Sequence, residues 1–169
     1  MAEMVYEGYG PGGIGIMVET LTDNKNRTVS DIRSTLSKAG GNMAESGAVA
    51  WQFEQKGVIV VDVNTSDAED LALIAIDAGA DDFETYDGTL HVYSEPNSLE
   101  NIRSTLTDSE AKVSSTELSM IPSNTIMLDS KKAIQTLRLL DSLEDLDDVQ
   151  KVYSNADFPE EAMDDFKAG

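Results

Sequence analysis

The chain has no cysteine and a single histidine among its 169 residues. The missing thiols exclude disulfides, thiolate metal sites and a cysteine nucleophile. No run of about 18 apolar residues is present, and the N-terminus lacks the apolar stretch of a signal peptide. We therefore expect a cytoplasmic protein with no membrane partner.

Basic residues are also scarce: 12 Lys and Arg stand against 32 Asp and Glu, a net charge of −20. The sequence pI is about 4.1. Such a chain repels naked nucleic acid on average, so that contact requires a local basic patch or an additional segment. A high-salt habitat is an alternative origin of the acidity.

Combinations of catalytic residues are nearly absent. His91 alternates onto the strand face opposite Leu90 and Val92, which favours a solvated histidine over a catalytic one. Pairs of neighbouring carboxylates are common, but adjacent residues point apart in regular structure and none has the spacing of a calcium loop. We therefore predict a protein that is not an enzyme, with no metal, no cofactor and no small-molecule substrate.

A glycine-rich tract, YEGYGPGG, begins at Tyr6 and contains GxGxxG at Gly8, Gly10 and Gly13. A dinucleotide fingerprint follows a strand and opens a helix, whereas here an extended apolar segment follows the glycines. A GxxG loop that clamps nucleic acid lies between two helices, and no helical period precedes this one. The tract is therefore interpreted as a flexible entry turn.

Strand and helix patterns alternate along the chain. Thr28 is predicted to cap the first helix, and Asp87-Gly88 is the strongest hairpin signal. The predicted elements are a strand at 14–21, a helix at 28–39, a hairpin of strands 48–54 and 58–63, a helix at 67–78, a hairpin of strands 83–86 and 89–94, a helix at 98–107, a strand at 113–120, a helix at 130–146 and a strand at 149–153.

The middle of the chain is an acidic block. Residues 65–122 carry 2 basic and 13 acidic groups, whereas residues 1–64 carry 5 and 8, and residues 123–169 carry 5 and 11. Deleting the middle joins the remaining elements into a β-α-β-β-α-β order. The sequence therefore predicts an α+β protein of two ferredoxin-like units, in which residues 65–122 are inserted into a domain made of residues 1–64 and 123–169.

Two short segments are candidate contacts for a partner. Lys25-Asn26-Arg27-Thr28 opens the first helix, where free N–H groups and the helix dipole favour an anion, although simple capping is an alternative. The candidate basic surface comprises Lys25, Asn26, Arg27, Arg33 and Lys38.

A second candidate is the predicted strand face with Val49, Trp51 and Phe53. Aromatic residues on such a face stack on bases in RNA-recognition sheets, whereas packing into the core is the alternative. Four acidic residues also crowd the C-terminus of the last predicted helix, where the dipole disfavours anions. They are Glu144, Asp145, Asp147 and Asp148, and they fit either a partner-facing surface or a halophilic bias.

Five tracts together resemble one protein family, and they span residues 6–157. They are YEGYGPGG, TDNKNRTVSDIR, SKAGGNMAESGAVAWQFEQKG, DAGADDFETYDG and LEDLDDVQKVYSNAD. Through these tracts the chain resembles the YebC/PmpR family of probable transcriptional regulatory proteins. This family includes the mitochondrial translational activator of cytochrome oxidase.

The resemblance implies a fold and a function. Family members have an N-terminal helical domain followed by two α+β domains, one inserted in the other, and only residues 1–5 precede the YEGYGPGG tract here. The expected function is non-enzymatic regulation of gene expression, with DNA as the partner of full-length relatives. The alternatives are a ribosome-associated translation factor and an acidic protein-interaction module that makes no nucleic-acid contact.

Overall fold

The structure is a computed structural model that describes residues 1–64 and 67–168. Short 3-10 turns lie at Pro11–Gly13, Ala50–Gln52 and Pro96–Ser98. In chain order the strands and helices are β1 (Ala2–Tyr9), β2 (Gly15–Thr22), α1 (Lys25–Lys38), β3 (Asn42–Ala44), β4 (Phe53–Asp62), α2 (Ala68–Asp77), β5 (Asp82–Tyr86), β6 (Thr89–Ser94), α3 (Leu99–Asp108), β7 (Lys112–Pro122), β8 (Ile126–Met127), α4 (Ser130–Glu144), β9 (Val149–Ser154), β10 (Ala156–Asp157) and α5 (Glu160–Ala168). The mixture of helices and antiparallel sheets confirms the predicted α+β class.

The chain divides into two units. The first comprises Met1–Glu54 and Pro122–Gly169, and the second comprises Gln55–Ile121. The boundaries predicted from the sequence lie after residues 64 and 122, so the difference concerns residues 55–64 and Pro122. Most of β4 lies in this stretch and pairs with β6, from Gly57 opposite Ser94 to Asp62 opposite Thr89.

The first unit is a four-stranded sheet in the order β3-β1-β2-β9. Helices α1 and α4 pack on the same face of this sheet, since buried residues of both helices belong to one hydrophobic core. A separate parallel pair is formed by β8 and β10. The buried residues of this core are Ile14, Ile16, Val18, Ile32, Leu36, Leu128, Ala133, Leu139, Leu143 and Ala162.

Strand β1 was not predicted from the sequence. It pairs with β2 in a continuous antiparallel register from Ala2 opposite Thr22 to Tyr9 opposite Gly15. The turn predicted for the glycine tract is therefore confined to the short segment between these two strands. The strand escaped prediction because its second half lies in the glycine-rich tract that was interpreted as a turn, and because one of its charged residues, Glu7, is buried with 6 % exposed.

The second unit runs β4-α2-β5-β6-α3-β7 and forms a sheet in the order β5-β6-β4-β7. This is the ferredoxin-like order without interruption. The predicted Asp87-Gly88 hairpin between β5 and β6 is present, with positive φ angles of 51° and 72° at the two turn residues. Its buried core residues are Ile59, Val61, Ala72, Ala75, Leu90, Val92, Ile102 and Leu106.

The hairpin predicted around residues 55–57 is wrong, because Gly57 lies inside the single strand β4. A Cβ at Gly57 would lie 2.7 Å from Leu99 Cδ1 and 2.8 Å from Ser94 Oγ. The glycine therefore permits close packing within the second unit instead of forming a turn. The residues predicted as the first strand of that hairpin instead form a loop that ends in a 3-10 turn at Ala50–Gln52.

This loop is held against β1 by a buried carboxylate. Glu7 accepts the backbone N–H groups of Gly47 at 2.6 Å, Val49 at 2.8 Å and Ala50 at 2.6 Å. Burial raises the pKa of Glu7, but the three backbone hydrogen bonds outweigh burial, so that the pKa lies below its ordinary value. The adjacent Gly8 faces α1, since a Cβ there would lie 2.8 Å from Leu36 Cδ1. Glu7 and the loop therefore lie on the sheet face opposite the helices.

Candidate functional site

The first turn of α1 is capped by the chain's own side chains. The side chain of Asn24 accepts the N–H of Arg27 at 3.1 Å, which makes Asn24 the N-cap. The prediction of Thr28 as the cap is wrong, because the helix begins at Lys25, almost one turn earlier. The cap satisfies a donor that a bound anion would otherwise use, so that capping accounts for this part of the sequence signal.

Arg27 is held in an ion pair within the first unit. Its Nε and Nη2 atoms donate to the two carboxylate oxygens of Asp148 at 3.1 Å and 2.8 Å, and Nη2 also lies 2.9 Å from Asp23. The hydroxyl of Thr28 donates to Asp148 at 2.8 Å. The hydrogen bonds from Arg27 and then Thr28 lower the pKa of Asp148. Asp148, one of the acidic residues near the end of α4, thus serves an internal contact.

The other predicted basic-surface residues are exposed but dispersed over α1. Lys25 and Lys38 are the two ends of this helix, and a rise of 1.5 Å per residue separates them by about 20 Å along the axis. Arg33 and Lys38 point about 140° apart around the helix, since each residue turns by about 100°. Asn26 follows Lys25 in the first turn. The structure therefore does not bring the predicted residues together as one patch.

One of them, Lys38, lines a groove between α1 and α4 in the first unit. The groove has a volume of about 810 Å³. Its apolar lining includes Ala39, Leu139 and Leu146. Its polar lining comprises Thr35, Lys38, Gln135, Arg138, Ser142 and Asp145.

The groove combines two cations with uncharged hydrogen-bonding groups. Within residues 1–64 and 67–168, neither Lys38 nor Arg138 takes part in an ion pair. Asp145 is the single acidic residue of the lining, so that the lining itself carries a net positive charge in a strongly acidic chain. The arrangement suits an anion that spans two helices, because an ammonium, a guanidinium, an amide and the hydroxyl of Ser142 can donate hydrogen bonds. The hydroxyl of Thr35 instead donates to the carbonyl of Asp31 at 2.8 Å.

Sequence reasoning missed Arg138. It lies in a helix that was predicted from its apolar residues, and Lys38, the other cation of the groove, comes from a distant segment of the chain. A signal was nevertheless present: Gln135, Arg138, Ser142 and Asp145 recur at intervals of three or four, which places them on one polar stripe of α4. The sequence does not tell which helix faces that stripe.

The predicted aromatic sheet face is not formed. Trp51 lies in a 3-10 turn with 76 % of its surface exposed, and its indole N–H donates to the carbonyl of Ala48 at 2.9 Å. Phe53 is buried, with 7 % exposed. Val49 is also buried and packs close to Gly15. The alternation expected of a strand fails here because the backbone is helical, so that Trp51 alone is available to a partner.

His91 lies half-buried on β6, and its ring stacks on Tyr86 with the ring centroids 4.5 Å apart. One of its ring nitrogens lies 3.1 Å from the hydroxyl of Thr89.

In the part of the chain that the structure describes, no group of three or more His, Asp or Glu side chains is arranged to hold a metal ion. Among the same residues, no helix has the length and apolarity needed to cross a bilayer.

Comparison with known proteins agrees with the resemblance in the sequence. The family model for the second and third domains of TACO1/YebC matches residues 1–156. A probable transcriptional regulatory protein of Dehalococcoides mccartyi is 49 % identical over 164 residues, which cover 97 % of this chain and 65 % of that protein. One from Halothermothrix orenii is 46 % identical over 166 residues, which cover 96 % of this chain and 66 % of that protein.

A solved structure is similar as well. The crystal structure of a conserved hypothetical protein from Aquifex aeolicus aligns with a TM-score of 0.87 and 37 % identity, and the match covers 94 % of this chain and 66 % of that one. The chain thus spans about two thirds of the length of these relatives. On the family model and on these identities, the chain belongs to the TACO1/YebC family.

Proposed function

We propose that this chain acts as a non-catalytic regulator of gene expression in the cytoplasm, and that it contacts nucleic acid through the groove between α1 and α4. The names of the relatives, probable transcriptional regulatory proteins, support the regulatory part of the proposal. The observation that carries the contact is the pair of cations, Lys38 and Arg138, without acidic partners in the described residues.

The groove favours the phosphate backbone over the bases. Two cations from two helices neutralise charge at neighbouring phosphates, while Gln135 and Ser142 donate hydrogen bonds at their side. Such contacts position a nucleic acid without reading its sequence. With about two phosphates neutralised, the logarithm of the association constant should fall with the logarithm of salt concentration with a slope of about −2 for a DNA duplex.

The test compares a groove variant with a matched control in the whole chain. Lys38→Glu with Arg138→Glu should weaken binding of a short labelled DNA duplex, measured by fluorescence anisotropy, by roughly tenfold or more and reduce the salt slope by about 2. Lys112→Glu with Lys167→Glu makes the same change in net charge at two exposed lysines outside the groove. This control should leave the slope unchanged. Equal losses in both variants would refute the groove as the contact.

The two cations of the groove also suit the phosphates of ribosomal RNA. A second measurement therefore distinguishes DNA from the ribosome as the partner. Co-sedimentation of the chain with ribosomes, with and without nuclease, assigns the partner: loss of the groove variant from the ribosomal fraction together with unchanged DNA binding would support a translation factor.

Lys25 and Asn26 remain proposed as a second contact at the start of α1, tested by Lys25→Glu alone. Trp51 is proposed as a stacking residue, and its fluorescence should be quenched when bases stack on it.

A further inference from the structure

Among the residues that the structure describes, no strand pairs with the outer edge of β5 in the second unit. This strand is the outermost of the order β5-β6-β4-β7, and all five of its residues, Asp82–Tyr86, are exposed. An outermost strand presents backbone N–H and carbonyl groups that can pair with another chain. The edge is five residues long, which is close to the usual length of a strand in a globular protein.

The backbone of β5 shows where an added strand would bind. The N–H of Phe83 is bonded to the carboxylate of Asp82 at 2.8 Å, so a side chain holds the donor in place of a neighbouring strand. In an antiparallel ladder alternate residues face the partner strand and the free edge, so that the N–H of Thr85 lies at the same edge as that of Phe83. The register with β6, in which Glu84 lies opposite His91, leaves both donors on one side.

The two faces beside this edge differ in character. On the helix side, Phe83 is 40 % exposed, and the neighbouring flank of α2 exposes Leu73 by 57 % and Ile76 by 38 %. Glu69 lies four residues before Leu73, which lies three before Ile76, so that the three share one stripe of α2. Glu69 and Phe83 both line a cavity of about 600 Å³. The helix side therefore exposes three apolar residues from α2 and β5, with Glu69 at one end of the same helix stripe.

The opposite face of the same edge is acidic and aromatic. Asp82, Glu84 and Tyr86 alternate with the residues of the apolar side, and Tyr86 is 53 % exposed. The phenol of Tyr93 on β6 lies 3.4 Å from Glu84. Carboxylates beside the face of a tyrosine ring suit an ammonium or a guanidinium group, which both attract.

The net negative charge of the second unit favours a basic partner. Residues 55–121 carry 14 acidic and 3 basic groups, and two of the basic groups are paired internally: Lys56 with Asp81 and Glu95, and Arg103 with Glu100. A second copy of this chain would place its own acidic edge against this one, and nucleic acid would bring phosphates to it. Like charges directly opposite each other destabilise a strand pair, which disfavours a second copy. The negative field of the unit repels phosphates, which disfavours nucleic acid.

We propose that β5 binds an extended basic segment of a protein partner, which adds a strand to this sheet. Apolar side chains of the segment pack against Phe83, Leu73 and Ile76, and alternate Lys or Arg side chains meet Asp82, Glu84 and Tyr86. Backbone hydrogen bonds supply affinity, and the alternation supplies specificity. This surface is independent of the groove in the first unit, and its test is independent of nucleic-acid binding.

The probe is a synthetic peptide in which Lys and Val alternate, KVKVKVK with glycine at both ends, added to the whole chain. Two control peptides are a rearranged sequence of the same composition without alternation, and EVEVEVE. Binding is measured by calorimetry, and the position is measured by amide hydrogen exchange. Slower exchange at the N–H groups of Phe83 and Thr85 is the signature of an added strand, which attraction between charges alone does not produce.

Two test variants, each with a matched control, assign the binding site to β5 and α2. Asp82→Lys with Glu84→Lys should weaken KVKVKVK binding by roughly tenfold or more and should make EVEVEVE the better ligand. The matched control is Asp164→Lys with Asp165→Lys, which makes the same change in net charge at two exposed residues of α5. Leu73→Ser should weaken binding as well, whereas Met127→Ser, at a residue that is 64 % exposed in the first unit, should not.

Each other outcome overturns the proposal. Equal binding of the rearranged peptide, or equal loss in the α5 variant, would mean that charge alone attracts the peptide. Unchanged exchange at Phe83 and Thr85 in the bound state would exclude an added strand. A concentration-dependent dimer of the whole chain that Leu73→Ser dissolves, seen by sedimentation, would assign the edge to a second copy of the chain.

Discussion

The carboxylate of Glu7 tests the tertiary structure of the first unit most directly. It holds the backbone N–H groups of Gly47, Val49 and Ala50 within 2.8 Å, and the bond to Val49 is buried. A hydrogen bond to a charged group contributes about 1.5 to 3 kcal/mol, and a buried donor left without a partner costs about as much. Because water can replace the carboxylate at the two partly buried donors, we expect Glu7→Ala to lower the free energy of unfolding by about 4 kcal/mol.

A more conservative variant separates charge from hydrogen bonding. In Glu7→Gln one oxygen still accepts from Val49 and Ala50, but the amide NH₂ group faces the N–H of Gly47. We expect a loss of about 2 kcal/mol for this variant. The matched control is Glu3→Gln on the same face of the same strand, where the side chain is exposed, and its effect should stay within about 0.5 kcal/mol.

Urea unfolding followed by circular dichroism measures these differences, and Trp51, the single tryptophan, reports on the anchored loop by fluorescence. Since the pKa of Glu7 is lowered in the folded state, its contribution is present above the unfolded value of about 4.3 and is lost as pH falls through the folded pKa. The gap between wild type and Glu7→Gln should therefore narrow below about pH 4. A Glu7→Ala variant as stable as the Glu3 control would refute the role of Glu7.

Two further predictions concern the second unit. Residues 55–121 expressed alone should fold and unfold cooperatively in urea, whereas residues 65–122 should remain unfolded because they lack β4 between β6 and β7; equal folding of both fragments would contradict the position of β4. Burial, and then the charge of Glu84, raise the pKa of Tyr93 to about 12. An ultraviolet pH titration should lose this late component in Tyr93→Phe, and a difference that appears only near the ordinary phenol pKa of about 10 would contradict the burial.

The candidate contact residues show the limit of what a sequence predicts about a site. Helical spacing and charge were enough to select α1 and to name Lys38. The same reasoning named Arg27, whose charge is neutralised by Asp148, a residue that lies 121 positions away in the chain. Arg138 was missed for the complementary reason: it becomes part of a groove only because α4 packs beside α1. Contacts between distant segments leave no periodic signal in either segment.

The sequence by itself determined the α+β class, the positions of the long helices and the β5–β6 hairpin. These features depend on apolar periodicity and on the positive φ angles that Asp87-Gly88 adopts, which are properties of neighbouring residues. Only the tertiary structure decided that β1 is a strand, that Gly57 lies within β4, and that Glu7 is buried. The physical reason is that partners from distant parts of the chain satisfy the backbone of β1, fill the space beside Gly57 and donate to Glu7, and tertiary packing overrides local preference at such positions.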